Sequence, residues 1–136
     1  MGKYEILEKD IYSVFGKPEW QSEGIKTLPS NFLEMNAGTE FIRISIIPSG
    51  PGVNIRSVSG VVIIDIFVPA SVGLKRANII ADTLDEYLIG KFLSVDPGSN
   101  TQFFMSALLH KGPDRDNASL HRSSYTIPFN YFGVSE

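Results

Sequence analysis

The chain has two histidines, and they flank one polar stretch. His110 closes "QFFMSALLH", His121 stands just ahead of "SYTIPFNYF", and Asp114 and Asp116 lie between them in "KGPDRDNASLHRS". If that stretch closes a hairpin, two imidazoles and two carboxylates come near one another, and these are donor types that hold a metal. The spacing matches no standard metal pattern, and two polar residues at strand ends is the simpler reading. "DRDN", 114–117, offers the first ligands of a calcium loop but lacks the glycine and the closing glutamate. Asp and Asn in such a run bond to their own backbone, so a turn is the expectation.

Asp65 is the other candidate acid. It stands alone in "VVIIDIFV", with no histidine or second acid at informative spacing. A general acid needs a partner that perturbs it. Asp65 is therefore expected to interrupt an aggregation-prone run, or to pair with a basic residue on a neighbouring strand or subunit. The Gly-Lys pairs at 2–3, 16–17 and 90–91 lack the other residues of a phosphate-binding loop. Gly50-Pro51-Gly52 lies between two strands and opens no helix, which excludes a dinucleotide fingerprint. Neither a G-x-S-x-G elbow nor an H-E-x-x-H pair exists. The expectation is no enzyme: no catalytic residue, no cofactor-binding residue and no metal ligand.

The remaining charges are informative by their placement. In the segment 73–89, Lys75 and Arg76 fall in the first helical turn, while Asp82, Asp85 and Glu86 fall towards the end. Both placements oppose the helix dipole, at a few tenths of a kcal/mol each. Asp82 and Glu86 also repel at i, i+4. The expectation is that both helix ends meet opposite charges on neighbouring copies of the chain. Arg56 in the 49–60 loop, with Arg115 and Arg122, is expected to contact subunits or a partner. The candidate interface set is thus Arg56, Asp65, Lys75, Arg76, Asp82, Glu86, Arg115 and Arg122.

The elements that position these residues follow from periodicity. Residues 3–15 read as an amphipathic helix with Tyr4, Leu7, Ile11 and Val14 on one side, stopped by Gly16 and Pro18. Residues 16–40 are rich in turn formers, with a short edge strand in "GIKTL". Trp20 and Phe32 are expected to pin that segment to the body. "EFIRISIIP", 40–48, alternates as a strand ended by Pro48. A loop spans 49–60, and "VVIIDIFV" follows as the best-defined strand. Residues 73–89 form the main helix, with the apolar stripe Leu74, Ala77, Ala81, Leu84 and Leu88 and with Ile80 beside it. Residues 102–110 and 124–132 are the last strands. Pro128 cannot donate to a ladder, which places the final strand at an edge or at a bulge.

These elements give an α+β fold: a mostly antiparallel sheet of four to five strands with two helices packed on one face, in a single domain spanning 1–136. Composition agrees: 43% hydrophobic and 20% charged residues suit a globular chain able to bury its own core. There is no cysteine, so no disulfide or thiol chemistry. A net charge of −3 disfavours sequence-specific nucleic-acid binding. No run is long enough for a membrane span, and "MGKYEILEKD" lacks a signal-peptide core.

The strand 61–68 raises one problem. Val61, Ile63, Asp65 and Phe67 form one row, and Val62, Ile64, Ile66 and Val68 the other. Two helices cover one face only. Four apolar side chains on the second face represent about 6–12 kcal/mol of burial at roughly 1.5–3 kcal/mol each. The expected cover is a second copy or a partner.

At this point "EFIRISIIPSG", "GVVIIDIFVPASVGLKRANIIADTLDEYLIG" and "SYTIPFNYF" together resemble the tail-terminator family of long-tailed bacteriophages. The resemblance lies at 44–49, 67–73, 81–84 and 127–129 and covers about residues 41–132. It implies a homo-oligomeric, hexameric ring that caps the head-proximal end of the tail tube and stops its polymerisation. It also implies a surface for the head-tail connector or stopper protein, a tail tube protein as partner, DNA sliding through the ring, and a place in the virion tail after assembly in the bacterial cytoplasm. No cofactor is implied. The short first helix departs from longer ones in the family. The alternatives are another neck protein such as a stopper, a small-molecule-binding α+β domain using His110, His121 and Asp114, and a plain dimer.

Overall fold

Helical spacing and breakers set the first elements. In the computed structural model, which describes residues 2–29, 40–72, 74–94, 98–113 and 120–133, α1 runs Lys3–Phe15. It buries Ile6, Leu7, Ile11, Val14 and Phe15, while Tyr4, expected on the inner stripe, is 57% exposed. Pro18 stops nothing further. It starts a short helix, α2 (Pro18–Ser22), because proline's fixed φ and missing N–H suit a first turn. Trp20 on α2 does pin this segment. Its ring meets Phe15 and Tyr87 edge-on at 5.1 and 5.2 Å. Its indole N–H donates to Thr27 Oγ1 at 2.9 Å. Phe32 lies outside the described residues.

The strands are β1 (Thr27–Pro29), β2 (Phe41–Pro51), β3 (Val58–Pro69), β4 (Phe92–Leu93), β5 (Asn100–Phe103), β6 (Ala107–Pro113) and β7 (Leu120–Phe132). A 3-10 turn at Ala70–Val72 leads into α3 (Leu74–Leu88). The strands form one curled seven-stranded sheet in the order β1-β2-β3-β7-β5-β4, with β6 also paired to β7. All pairings are antiparallel except β1 with β2. The expectation of four to five strands and two helices is thus short by a helix and by small strands. The excess lies in α2 and in β4, only two residues long, and in the division of the 102–110 strand.

Prolines explain three departures from the expected boundaries. Pro48 does not end β2; the strand continues to Pro51 after a register shift between Ile47 and Gly50. An extra residue leaves the ladder there, as proline requires. The facing Gly60 accommodates this bend, since a Cβ on it would lie 2.0 Å from the Ile47 carbonyl oxygen. Gly60→Ala is expected to cost about 1–2 kcal/mol through backbone displacement, read by chemical denaturation. Pro128 does not put β7 at an edge: β7 lies between β3 and β5/β6. The Pro128 carbonyl accepts from the Phe104 N–H at 3.0 Å. In an antiparallel strand both polar groups of a residue point the same way, so the missing proline donor also faces this neighbour. The neighbour leaves the ladder at 104–106, dividing the expected 102–110 strand into β5 and β6.

The main core lies between the helices and one sheet face. Ala77, Ile80, Ala81, Leu84 and Leu88 of α3 meet Ile42, Ile44, Val62, Ile64, Ile66, Tyr125, Ile127 and Phe129 there. Leu74, expected on the stripe, is 42% exposed.

Candidate functional site

The two sheet faces differ in how their polar residues are held. On the helix face, His110 of β6 bridges strand and helix. Its Nδ1 lies 2.7 Å from Ser123 Oγ and its Nε2 lies 3.0 Å from Asn78 Oδ1 on α3. A Ser–His pair is nucleophile chemistry only if the hydroxyl can be reached. Ser123 is 1% exposed, so this one is a structural tie. His121 pairs in register with Val68 and Pro113, and its Nδ1 is buried without a hydrogen-bond partner among the described residues. Asp114 and Asp116 lie outside the described residues. Among the described residues, no three His, Cys, Asp or Glu side chains converge to hold a metal ion.

Next along α3, Asp85 accepts hydrogen bonds from Tyr125 Oη at 2.5 Å and Ser106 Oγ at 2.6 Å. Burial, and then the bond to Asp85, hold the Tyr125 phenol well above a tyrosine's ordinary 10.0. A raised folded-state pKa contributes stability that is intact below the unfolded value and is lost as pH climbs through the folded one. Stability is therefore expected to fall from about pH 10 upward by as much as ~1.4 kcal/mol per pH unit from this group. Tyr125→Phe flattens that alkaline limb in urea titrations run across the range. Tyr87 likewise donates to Glu23 Oε2 at 2.8 Å, and that bond pushes its phenol up to about 12. Sequence reading missed a buried carboxylate: Asp10 is fully buried in α1 and accepts from Thr101 Oγ1 at 2.7 Å. The available signal was its place between Leu7 and Val14 on the inward arc.

The second sheet face carries the row that began at Val61. Its two ends are treated differently. At one end Phe67 stacks on Phe41 with centroids 4.5 Å apart, and both join Leu28 and Leu120 in a small buried cluster. Asp65, 5% exposed, receives Arg122 through Nη2 at 3.1 Å and Nε at 3.3 Å, and the Ser124 hydroxyl at 2.9 Å. The Arg43 guanidinium lies over Phe67 at 5.1 Å and over Phe41 at 5.9 Å, a cation–π placement. Its Nε is buried without a hydrogen-bond partner among the described residues. At the other end Val61 and Ile63 stay partly exposed, with Ile47 (39%) opposite Val61 on β2, while Leu109 (62%) lies on the same face across β7. The chain thus seals half of the face itself and leaves an apolar half open.

No family model and no curated protein matches the sequence. Solved structures do match in fold. One is a chain without a functional description, with TM-score 0.67 and 13% identity over 98% of this chain and 95% of that one. Another is a chain of the virion of a native gene transfer agent particle, with TM-score 0.54 and 12% identity over 97% of this chain and 92% of that one. The fold is shared across nearly the whole chain. At such identity the likeness fixes architecture and leaves side-chain roles to local geometry.

The expected interface residues fall into three groups. Asp65 and Arg122 meet each other within the chain on adjacent strands. Arg76 also finds its carboxylate within the chain. Its Nε and Nη2 donate to Glu40 at 2.6 and 2.8 Å, which raises the guanidinium pKa further. The partner sought for Arg76 on a neighbouring copy is therefore supplied by Glu40, 36 residues away in sequence. Lys75, Asp82, Glu86 and Arg56 are exposed, and Arg115 lies outside the described residues.

Arg56 sits in a hydrogen-bonded loop. Asn54 Oδ1 accepts from the Arg56 N–H at 2.8 Å and from Ser57 Oγ at 3.1 Å. Lys3 Nζ donates to the Ile55 and Ser57 carbonyls at 3.2 and 3.4 Å, fastening the loop to α1. Held this way, Val53 and Ile55 project at 76% and 87% exposure. A shallow cleft of about 560 Å³ lies between this loop and Tyr4.

Proposed function

We propose that the chain is a structural virion subunit of a tailed, phage-like particle, and that it acts as a tail terminator. Copies form a ring, read as a hexamer, on the head-proximal end of the tail tube. The ring ends tube growth and presents the surface that the head-tail connector joins, with DNA passing through its opening. The observation that carries this reading is the near full-length fold likeness to a chain of a gene transfer agent virion. The half-open apolar sheet face supports assembly, since a monomer seldom leaves such a patch wet. The fastened loop at 52–57, with Val53 and Ile55 at its tip, suits docking on a tube or connector protein. The reading assigns the protein no catalysis and no cofactor, and places it in the virion tail.

The test is electron microscopy of particles made without the chain. Expected are tubes of uncontrolled length that do not join heads, corrected when the chain is supplied. Labelled protein is then found at one end of isolated tails. The same likeness admits a stopper on the head side of the neck, and label on isolated heads with tubes of normal length selects that reading instead.

A further inference from the structure

We infer that one copy's open sheet face receives the outer stripe of α3 from the next copy, with Arg43 set between Asp82 and Glu86. The inference rests on the ring reading above and names which two surfaces meet. The outer side of α3 is defined by its neighbours. Asn78 and Asp85 turn towards β6 and β7, and Arg76 and Tyr87 turn the other way to Glu40 and Glu23. Between those flanks run Ile79, Asp82, Glu86 and Ile89 at helical spacing. The two isoleucines are 43% and 37% exposed, and both acids are exposed. Neither acid has a hydrogen bond or ion pair among the described residues.

The open sheet face has the opposite character. Ile47, Val61 and Ile63 form its apolar floor, with Leu109 on the same face across β7. Asp65 on this face is already paired with Arg122. Arg43, opposite Asp65 in the β2–β3 register, has no ion pair among the described residues, and its position on the Phe41–Phe67 stack fixes where its charge stands. Apolar residues flanking acids on one surface thus match apolar residues flanking a held cation on the other. An incoming guanidinium also relieves the two acids near the helix C-terminus, where the dipole disfavours them. Two copies joined by the same sheet face would bring two cation-bearing surfaces together, with Asp65 on each already paired to Arg122. The matched surfaces differ, so the contact is head-to-tail, the kind that closes into a ring.

The chain has no cysteine, so introduced thiols report without background. Ile63→Cys and Ile79→Cys copies are mixed under assembly conditions, oxidised and run on a non-reducing gel. Expected is a covalent dimer in the mixture, a ladder from the double variant, and little product from either variant alone. Asp82→Lys with Glu86→Lys, both on exposed sites, is expected to weaken association at least about tenfold, and Arg43→Glu recovers part of it. Efficient self-crosslinking of Ile63→Cys alone overturns the pairing in favour of a symmetric dimer. An intact ring with no crosslink in the mixture overturns the pairing and leaves the terminator reading standing. Failure to form a ring on tails at all overturns both.

Discussion

Trp20→Ala is expected to lower the free energy of unfolding by about 3–5 kcal/mol, the range for removing a buried tryptophan. Trp20 is 1% exposed and does three things at once. It packs edge-on with Phe15 at the end of α1 and with Tyr87 on α3, and its N–H holds Thr27 at the start of β1. Truncation empties the space among three elements and leaves Thr27 without that donor. The loss is a large share of a typical domain stability of roughly 5–15 kcal/mol. Urea unfolding followed by far-ultraviolet circular dichroism reads it. Trp20→Phe should cost clearly less, because it keeps the aromatic packing and loses only the N–H. A loss below about 1 kcal/mol for the alanine variant would mean that α2 is not held by this ring.

The second large effect concerns Asp65. Arg122→Ala is expected to cost about 3 kcal/mol, the lower end for breaking a buried ion pair, because Arg122 is itself a third exposed. The cost arises from Asp65, which stays buried with, among the described residues, the Ser124 hydroxyl as its remaining hydrogen-bond donor. Replacing both partners, Asp65→Leu with Arg122→Met, should recover most of the loss, since neither charge is then stranded. A double-mutant cycle in chemical denaturation gives the coupling. Additive losses across the cycle would rule out the pair as the stabilising unit.

How far the sequence could be read depended on the range of the interaction. Periodicity gave α1 and α3 nearly to the residue, alternation gave β2, and an apolar run gave most of β3, whose first residues 58–60 were expected in the loop, because those signals lie within a few residues of one another. Proline effects were legible as breaks and misread in their outcome. Whether Pro48 ends a strand or bends it depends on Gly60 across the ladder. Whether Pro128 marks an edge depends on a neighbour that yields at 104–106. The second face was recognised as needing a cover. That Phe67 would find Phe41, and Asp65 would find Arg122, required the β2-β3-β7 strand order, which periodicity does not encode. The same holds for Arg76, whose backward position on the helix was noticed, while Glu40 lay too far along the chain to be paired with it.

The flanks of the sheet carry one more consequence. Among the described residues β1 pairs with residues 42–44 and β2 runs on past it towards Pro51, while β6 pairs with β7 beyond β5. Each of these margins is spoiled as a template. β2 has Pro48, Pro51 and an irregular register, and β6 has a shift at Lys111, a left-handed Gly112 and a terminal Pro113. A foreign strand laid alongside would find absent donors and a bent track. Runaway fibre growth by ribbon stacking is thereby discouraged even at high protein concentration. Any stoichiometry the protein adopts is left to its side chains, where it can be counted and closed.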